Sequence, residues 1–284
     1  MKKIFIILPL FNDWKSANKL LKKIDSYLKK KFITNIIIVN DYSSEKISIK
    51  KKKFFSIKKI KVINLKRNVG SQKAIYLGLK KIKNKYDSII VVMDSDGEDD
   101  ASKLNKLIIK AKNNPDAIIF AKRSKRTENY FLRLLNNIRL FINFFLTGKF
   151  LNIGNFSAFS ARNLNKLLSN KNLTLAFSSG AIKNIKKNYF LDIEKRKRLL
   201  GSSKVNLHFL IIHSFNIISI FYKQVYFRTT IILLICLTIN SLENYIFIIS
   251  FFYLLINTSF TLNFFLNSRS KFNTNIIKSI DEIY

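Results

Sequence analysis

The segment Val91–Asp100 reads VVMDSDGEDD and joins the end of an apolar run to a dense group of acidic residues. The chain contains 51 Lys and Arg but only 17 Asp and Glu, and five of these acids lie within the seven positions from Asp94 to Asp100. Such a group is compatible with an ordinary solvated turn. It is also compatible with a site that holds a positive group such as a metal ion, because carboxylates are preferred ligands of hard cations.

Apolar runs and amphipathic stretches alternate on both sides of this segment. The runs rich in β-branched residues are KIFIILPL (3–10), NIIIVND (35–41), IKVINL (60–65), SIIVVMD (88–94) and DAIIFAKR (116–123). The stretches with helical spacing are WKSANKLLKKIDSYLKK (14–30), SQKAIYLGLKKIKN (71–84) and ASKLNKLIIKAKNN (101–114). Strict alternation of strands and helices predicts a doubly wound α/β domain with a mostly parallel sheet.

Ligands of such sheets bind beyond the carboxyl ends of the strands, so these ends are where we expect the site. The predicted ends are Pro9–Asp13, Asn40–Ser44, Lys66–Gly70, Asp94–Asp100 and Lys122–Arg126. Acidic groups follow strands 1, 2 and 4, and basic groups follow strands 3 and 5. An edge of this kind could hold a metal ion and a phosphate together.

Several other classes of site lose their support in the sequence. No G-x-G-x-x-G follows the first strand and no G-x-x-x-x-G-K-[ST] occurs, which argues against dinucleotide-binding and P-loop sites. The single cysteine, Cys236, excludes a disulfide within one chain and a cysteine-based zinc site. The opening Met1–Leu10 lacks the features of a signal peptide, so we expect folding to begin in the cytoplasm.

Positive charge is concentrated in the first part of the chain, which carries 46 of the 51 Lys and Arg in residues 1–204 and leaves five for residues 205–284. Heavy use of Lys, Asn and Ile together is compatible with a compositional bias at tolerant surface positions. The uneven distribution is nevertheless typical of a protein that lies on an anionic membrane surface.

The last part of the chain is apolar enough to enter a membrane. Asn244–Ser268 contains no charge over 25 residues, more than the roughly 20 that cross a bilayer, and Thr229–Leu242 is uncharged over 14 residues. Two spans joined by a tight turn would place Arg228 and Arg269 together on the cytoplasmic side. The uncharged Val205–Tyr222 predicts amphipathic helices in the interface. The alternative is a buried helical hairpin in a soluble core, which the Asn and Thr residues leave open.

Six short motifs along residues 1–204 resemble those of family 2 glycosyltransferases, in particular the polyprenyl-phosphate glycosyltransferases of the dolichol-phosphate mannose synthase type. They are Pro9-Leu10-Phe11-Asn12-Asp13, Val39-Asn40-Asp41-Tyr42-Ser43, Arg67–Ala74, Asp94–Asp99, Arg123 and Arg198–Lys204. The resemblance implies a GT-A-like catalytic domain over 1–204, interfacial amphipathic helices over 205–223, and a transmembrane hairpin with a short cytoplasmic tail over 224–284. It also implies location at the inner, cytoplasmic membrane as a multi-pass protein, with the catalytic domain on the cytoplasmic face.

The resemblance also implies a role for each candidate residue. A nucleoside diphosphate sugar would be bound through Pro9, Phe11, Asp13, Asp41 and Asp94. Asp41 would bond the base, and Asp94 and Asp96 would hold Mg²⁺ or Mn²⁺. The catalytic residues would be Asp96, Arg123 and Arg198. The acceptor phosphate would be bound by Arg123, Arg198, Ser203 and Lys204.

The acceptor can be argued from what the sequence lacks. Hydroxyl acceptors need a general base, which related enzymes supply from a late Glu-Asp pair, but residues 150–204 contain only Asp192 and Glu194 as acids. The Gln-x-x-Arg-Trp motif of processive synthases is absent, since the only tryptophan is Trp14. A polyprenyl phosphate is already anionic and needs cations instead of a base. We therefore predict inverting transfer from the nucleotide sugar to a polyprenyl phosphate, with membrane lipids as further partners.

Two alternatives and several departures from the family pattern stay open. The chain could transfer sugar to a glycan or another hydroxyl acceptor. A basic membrane-associated nucleic-acid-binding protein would explain the charge but not the acidic strand ends, so we predict no nucleic-acid partner. The departures are Asp13 for Glu, Asn40 for Asp, Asn155 for Asp and Ser157 for Arg. The sequence also leaves association into a homo-oligomer open.

Overall fold

The computed structural model describes residues 2–29, 31–47, 49, 53–82, 87–123, 130–169, 171–194, 196, 198–200, 207–239, 244–269 and 274–283. The chain divides into two compact units. The first comprises Met1–Arg126, Ile153–Lys204 and Lys271–Tyr284, and the second comprises Thr127–Asn152 and Val205–Ser270.

The first unit is built on one sheet, whose strands in the described part of the chain run in the order β7-β5-β6-β4-β1-β2-β3-β8. The strands are β1 (Lys3–Leu10), β2 (Ile33–Asn40), β3 (Ile57–Leu65), β4 (Ser88–Val92), β5 (Ala117–Arg123), β6 (Ile153–Ser160), β7 (Lys187–Ile193) and β8 (Ile277–Glu282). Of these described strands, β6 and β8 run against the others. The predicted mostly parallel α/β sheet is confirmed.

Helices cover both faces of this sheet, which explains why its strands read as continuous apolar runs. The helices are α1 (Trp14–Leu28) and α3 (Leu104–Asn113) on one face, and α2 (Ser71–Lys80), α5 (Leu164–Leu168) and α6 (Phe177–Asn184) on the other. Alternate residues of β1 enter the two cores: Ile6 and Leu8 face α1, whereas Ile7 faces α2. Helix α2 approaches closely at Gly78, where a Cβ would lie 2.8 Å from Cγ2 of Ile7.

The C-terminal segment returns to this sheet. Residues 277–282, which the sequence analysis assigned to a short tail, form β8 and pair antiparallel with β3, with Ile63 opposite Ile280. Six residues with alternating exposure are too short a pattern to be distinguished from a tail in the sequence. Strands β6 and β7 also carry too little periodicity to have been predicted.

The second unit contains four described helices: α4 (Tyr130–Thr147), α7 (Leu207–Ile220), α8 (Tyr222–Leu237) and α9 (Ile246–Arg269). Within the described residues, only α9 is long and apolar enough by itself to cross a membrane, and little of it is buried. Helices α7 and α8 meet at an 85° bend and reach the required length only as a pair. One or two candidate spans are therefore present, and the two-helix hairpin stays a prediction.

Polar side chains join the helices of the second unit. Asn257 of α9 donates to Thr229 Oγ1 of α8 at 2.9 Å, and Asn263 of α9 donates to Ser219 Oγ of α7 at 2.8 Å. Arg228 of α8 donates to the carbonyl of Phe145 in the last turn of α4 at 3.2 Å. Side-chain hydrogen bonds of this kind hold helices together in lipid as well as in a soluble core, so the Asn and Thr residues do not argue against a membrane.

Candidate active site

The carboxyl ends of β1 and β2 carry two loops that are bonded to each other. The amide of Asn12 donates to Ser43 Oγ at 2.9 Å, and the amide of Ser44 donates to Asn12 Oδ1 at 2.8 Å. Asn12 and Tyr42 both adopt left-handed backbone conformations, with φ of +48° and +63°. These bonds hold the two loops as one surface at the edge where a ligand is expected.

Two aromatic side chains are exposed on these loops, Phe11 at 40% and Tyr42 at 58% of their surface. An exposed aromatic ring at a ligand edge provides a face on which a nucleobase can stack. Phe11 was predicted at this position, whereas Tyr42 was missed. The signal in the sequence was its place between Asp41 and Ser43, directly after a buried strand. Pro9, also predicted to line the pocket, is buried within β1.

Asp41 binds the backbone of the loop that follows β3. Its two carboxylate oxygens accept hydrogen bonds from the amides of Val69 at 2.7 Å and Gly70 at 2.9 Å. Burial raises the pKa of Asp41, although these amides and the charge of Lys73 act against the increase. The sequence analysis assigned Asp41 to the base of the nucleotide. In the structure its carboxylate positions the turn at Gly70, where φ is +85° and α2 begins.

The Asp-x-Asp pair lies in the loop after β4, as predicted. Asp94 Oδ1 accepts from Asn155 Nδ2 at 3.1 Å, and Asp96 Oδ1 accepts from the amide of Glu98 at 3.0 Å. Burial raises the pKa of Asp96 to about 6, with the charges of Asp94 and Glu98 acting in the same direction and Arg198 opposing them. The protein therefore gathers negative charge here without fully compensating it.

The other acids of the segment have structural partners. Asp99 Oδ2 accepts from the amide of Asp94 at 3.1 Å, and Asp100 Oδ1 accepts from the amide of Ser102 at 3.0 Å. Asp100 thus caps the short turn that leads into α3. Gly97, with φ of +80°, turns the chain between the Asp94–Asp96 pair and the acids Asp99 and Asp100.

Asp94 and Asp96 fit a divalent cation. Within the described part of the chain, each of the two carboxylates accepts a hydrogen bond through Oδ1, and no donor is bonded to its Oδ2. The two carboxylates also repel each other when both are ionised. No group of three or more His, Cys, Asp or Glu side chains is arranged to hold a metal within the described part of the chain. A cation at this pair would therefore take its other ligands from water or from phosphate oxygens.

Arg196 and Arg198, the described basic residues of EKRKR (194–198), lie against the Asp-x-Asp loop. The amide of Arg196 donates to the carbonyl of Glu98 at 2.9 Å, and the amide of Leu199 donates to the carbonyl of Asp96 at 3.1 Å. The side chain of Leu199 fills the space where a Cβ on Gly97 would stand. Arg196 also pairs with Asp100, with 3.0 Å between Nε and Oδ1. The described residues of this segment are thus docked on the protein.

Arg198 lies among the carboxylates of the donor side. Its Nη2 is 2.6 Å from Oδ2 of Asp13, and both side chains are largely buried. Burial lowers the pKa of Arg198, but Asp13, Asp96 and Glu98 together raise it above its usual value. The sequence analysis placed Arg198 with the acceptor phosphate, whereas the structure pairs it with a predicted donor residue. The side chain of Arg123, together with Ser203 and Lys204, lies outside the described residues.

A chain of side-chain amides leads to Asp94 from the other side of the sheet. The amide of Phe177, the first residue of α6, donates to Gln72 Oε1 at 2.6 Å. Gln72 Nε2 lies 3.4 Å from Asn155 Oδ1, and Asn155 donates in turn to Asp94. Gln72 was missed in the sequence because it occupies a variable position of the Arg67–Ala74 motif. Asn155, noted as a departure from the family, holds Asp94 in place.

A family model described as glycosyl transferase family 2 matches residues 5–168, which covers the sheet edge and the Asp-x-Asp loop. The chain belongs to this family. Its members are transferases that use nucleotide sugars, so the donor class predicted above is supported. The narrower resemblance to the dolichol-phosphate mannose synthase type stays a prediction.

The chain is also 29% identical over 136 residues to the uncharacterized glycosyltransferase YkoT of Bacillus subtilis (strain 168). The match covers 45% of this chain and 40% of that protein, so the chain spans well under half the length of the curated relative.

Solved structures of similar fold share little sequence with this chain. Glucosyl-3-phosphoglycerate synthase from Mycobacterium tuberculosis, in complex with Mn²⁺, UDP-glucose and phosphoglyceric acid, matches with a TM-score of 0.53 and 14% identity, over 79% of this chain and 80% of that chain. Mannosyl-3-phosphoglycerate synthase from Rubrobacter xylanophilus matches with a TM-score of 0.52 and 12% identity, over 78% and 74%. At such identities the likeness shows the fold alone.

Proposed function

We propose that this chain is a membrane-anchored, inverting glycosyltransferase that moves a sugar from a nucleoside diphosphate sugar to a polyprenyl phosphate. The observation that carries the proposal is the return of the chain to its own catalytic sheet after a series of exposed apolar helices. Strand β8 follows α9 in the chain and pairs with β3, so helices α7, α8 and α9 are inserted in the sequence between two segments of the first unit.

This return constrains how a membrane could be crossed. If α9 spans a bilayer, a second span is needed, because β8 and the rest of the sheet lie on one side. Among the described helices, only the bent pair α7 and α8, taken together, is also long and apolar enough to be this second span. An even number of crossings, with Arg228 and Arg269 near the ends, favours a catalytic unit on the cytoplasmic face.

The partners of the described acids near the Asp-x-Asp loop favour an acceptor that needs no general base. A hydroxyl acceptor would need a carboxylate to take its proton, and the acids near the Asp-x-Asp loop have other partners. Asp13 is paired with Arg198, and Asp99 and Asp100 hold backbone amides. A polyprenyl phosphate needs no base, and its isoprenoid chain would remain in the lipid.

The reaction forms one bond and breaks one bond at the anomeric carbon. An oxygen of the acceptor phosphate attacks this carbon from the face opposite the leaving diphosphate, and the bond between the carbon and the diphosphate oxygen breaks with its electron pair. The configuration is inverted because the attack is in line. Asp94 and Asp96 would hold Mg²⁺ or Mn²⁺, which supplies positive charge to the departing diphosphate.

The remaining roles fall to residues of the chain itself. Phe11 and Tyr42 offer faces for the base, and Asp41 keeps the neighbouring loop in place through Val69 and Gly70. Arg198 would bind the diphosphate once Asp13 or Asp96 engages the donor, since a guanidinium binds phosphate oxygens well.

The experiment is a transfer assay on membranes that contain the full chain. Radiolabelled UDP-, GDP- and dTDP-sugars are added with Mn²⁺, and the products are extracted into organic solvent. Label in the organic phase that mild acid releases supports a lipid phosphate acceptor. Label that remains only in the aqueous glycan or small-molecule fraction would overturn that acceptor while leaving the family assignment intact. Membranes that carry Asp96→Asn are the matched control.

A further inference from the structure

A line of buried amides connects the C-terminal strand with the donor loops. Asp281 of β8 accepts from Asn64 Nδ2 at 2.6 Å, and Ser279 Oγ accepts from the same nitrogen at 2.9 Å. Asn64 Oδ1 accepts from Asn40 Nδ2 at 2.8 Å, and Asn40 Oδ1 accepts from the amide of Ser43 at 3.1 Å. We call Asp281, Asn64, Asn40 and Ser43 the amide relay.

The direction of the two bonds between side chains in the relay follows from Asp281. An ionised carboxylate only accepts hydrogen bonds, so Asn64 must turn its NH₂ group towards Asp281 and its carbonyl towards Asn40. Asn40 must then donate to Asn64, which leaves its own carbonyl for the amide of Ser43. Asn40 and Asn64 are 7% and 9% exposed, so water offers little substitute for a lost partner.

The relay ends in the loops that form the proposed nucleotide surface. Ser43, its last member, also accepts from the amide of Asn12 through Oγ. Asn40 directly precedes Asp41, and Tyr42 lies between Asp41 and Ser43. A change in the orientation of Asn40 would therefore move the backbone that presents Tyr42 and, through Asn12, the loop that presents Phe11.

We infer that Asp281 is a positioning residue for the donor nucleotide, and that β8 completes the donor site from the far end of the chain. This inference rests on the proposed donor role of the β1 and β2 loops. It also accounts for one departure from the family pattern, because position 40 must donate a hydrogen bond in this chain. The Asp that relatives carry at that position could only accept.

The relay can be tested by reversing its direction. In Asn40→Asp, Asn64 can donate either to the new carboxylate at position 40 or to Asp281. The carboxylate that receives no hydrogen bond from Asn64 then faces the carbonyl oxygen of Asn64. In the double variant Asn40→Asp with Asp281→Asn, the two side-chain bonds can reverse: residue 281 donates to Asn64, and Asn64 donates to residue 40. The amide of Ser43 still donates to residue 40. We expect Asn40→Asp to weaken nucleotide binding about tenfold and the double variant to recover most of that loss.

The measurement is titration of the detergent-solubilised full chain with UDP, GDP and dTDP in the presence of Mn²⁺, together with donor KM and kcat. A positioning role predicts that KM follows the nucleotide Kd while kcat changes little. Glu282→Gln is the matched control, because Glu282 pairs β8 with Lys59 of β3 without entering the relay. Its nucleotide affinity should equal that of the wild type.

Each result bears on the inference. If Asn40→Asp binds nucleotide as tightly as the wild type, or the double variant is no better than Asn40→Asp alone, the relay does not position the donor. If Asn40→Asp does not fold, Asp281→Ala is measured in its place. We expect Asp281→Ala to bind nucleotide about threefold more weakly than the wild type, and Asp281→Asn to bind it as tightly as the wild type. An equal affinity of these two variants would overturn the inference. A wild type that binds none of the three nucleotides would overturn the donor site itself.

Discussion

Asp25 and Asp96 are both poorly exposed carboxylates of the same α/β unit, yet their pKa values move in opposite directions. Asp25 accepts hydrogen bonds from the amides of Phe55, Ser56 and Ile57 and from the hydroxyl of Ser56. Burial raises the pKa of Asp25, but these donors more than offset it, so the pKa lies below its ordinary value. Asp96 receives one backbone amide, and burial raises its pKa to about 6.

The difference shows that burial alone does not identify a functional carboxylate. Asp25 is surrounded by hydrogen-bond donors of residues 55–57, and its carboxylate holds these residues against α1. Asp96 is short of donors and stands beside Asp94, so the fold leaves a charge there that an external cation can compensate. The number of donors around the carboxylate separates a structural acid from a candidate catalytic one.

The largest expected effect comes from removing the charge of Asp96. We predict that Asp96→Asn lowers kcat/KM by about 10³-fold or more, because the site loses a carboxylate that would hold the proposed cation. Initial rates with Mn²⁺ measure this loss, and the exposed Asp116→Asn is the matched control. Activity close to that of the control would contradict the metal role of Asp96.

The same variant should make the metal-free protein more stable. The folded pKa of Asp96 is raised, so its contribution to the free energy of unfolding falls as pH rises from the unfolded value near 3.8 through about 6. Asp96→Asn removes this fall, and we expect a gain of about 1–3 kcal/mol near neutral pH. Urea unfolding at neutral pH measures the free energy of unfolding of the variant and of the wild type. A less stable variant would contradict an energetic cost of ionised Asp96 in the fold.

The next largest effect concerns the residue that orients Asp94. Asn155→Asp replaces a donor with a like charge beside Asp94, so we predict a decrease of about 10–100-fold in kcat/KM. Asn155→Ala removes the donor without adding charge and should cost less. The two variants are compared in the same transfer assay. Higher activity in Asn155→Asp than in Asn155→Ala would exclude the orienting role.

A smaller effect should appear in the pH dependence of metal binding. Asp96 must lose its proton to bind Mn²⁺, so affinity should fall by up to about tenfold per pH unit below a pH of about 6. Titration with Mn²⁺ at pH values on both sides of 6 measures it. The profile of Asp25→Asn should match the wild type, since Asp25 takes no part in the site.

The smallest effect on turnover is expected for Asp25→Asn. In the wild type, the pKa of Asp25 is lower in the folded state than the unfolded value near 3.8. The ionised carboxylate therefore stabilises the fold at pH values above 3.8, and this stabilisation is lost as the pH falls through the folded pKa. The variant should lose about 1–3 kcal/mol of stability at neutral pH while kcat stays unchanged. Unfolding and turnover are measured on one preparation, and a large fall in kcat would weaken the contrast with Asp96.

The sequence was sufficient for the strands that alternate with helices and for the loops at their carboxyl ends. Apolar runs covered on both faces are long and regular, so β1 to β5 could be predicted within a few residues. The carboxylates of Asp94 and Asp96 stood out because they directly follow such a run. Strands β6, β7 and β8 escaped because short strands with mixed polarity carry little periodic signal.

The amino-acid sequence by itself determined the family, the Asp-x-Asp loop and the apolar character of residues 205–270, because these depend on composition and on neighbours along the chain. Only the tertiary structure decided what each polar group faces. It paired Arg198 with Asp13, turned Asn155 towards Asp94, and brought Asp281 to Asn64 across 217 positions. Hydrogen bonds between segments that are remote in sequence require donor–acceptor distances that are correct to within a few tenths of an ångström, and the packing of the sheet sets those distances.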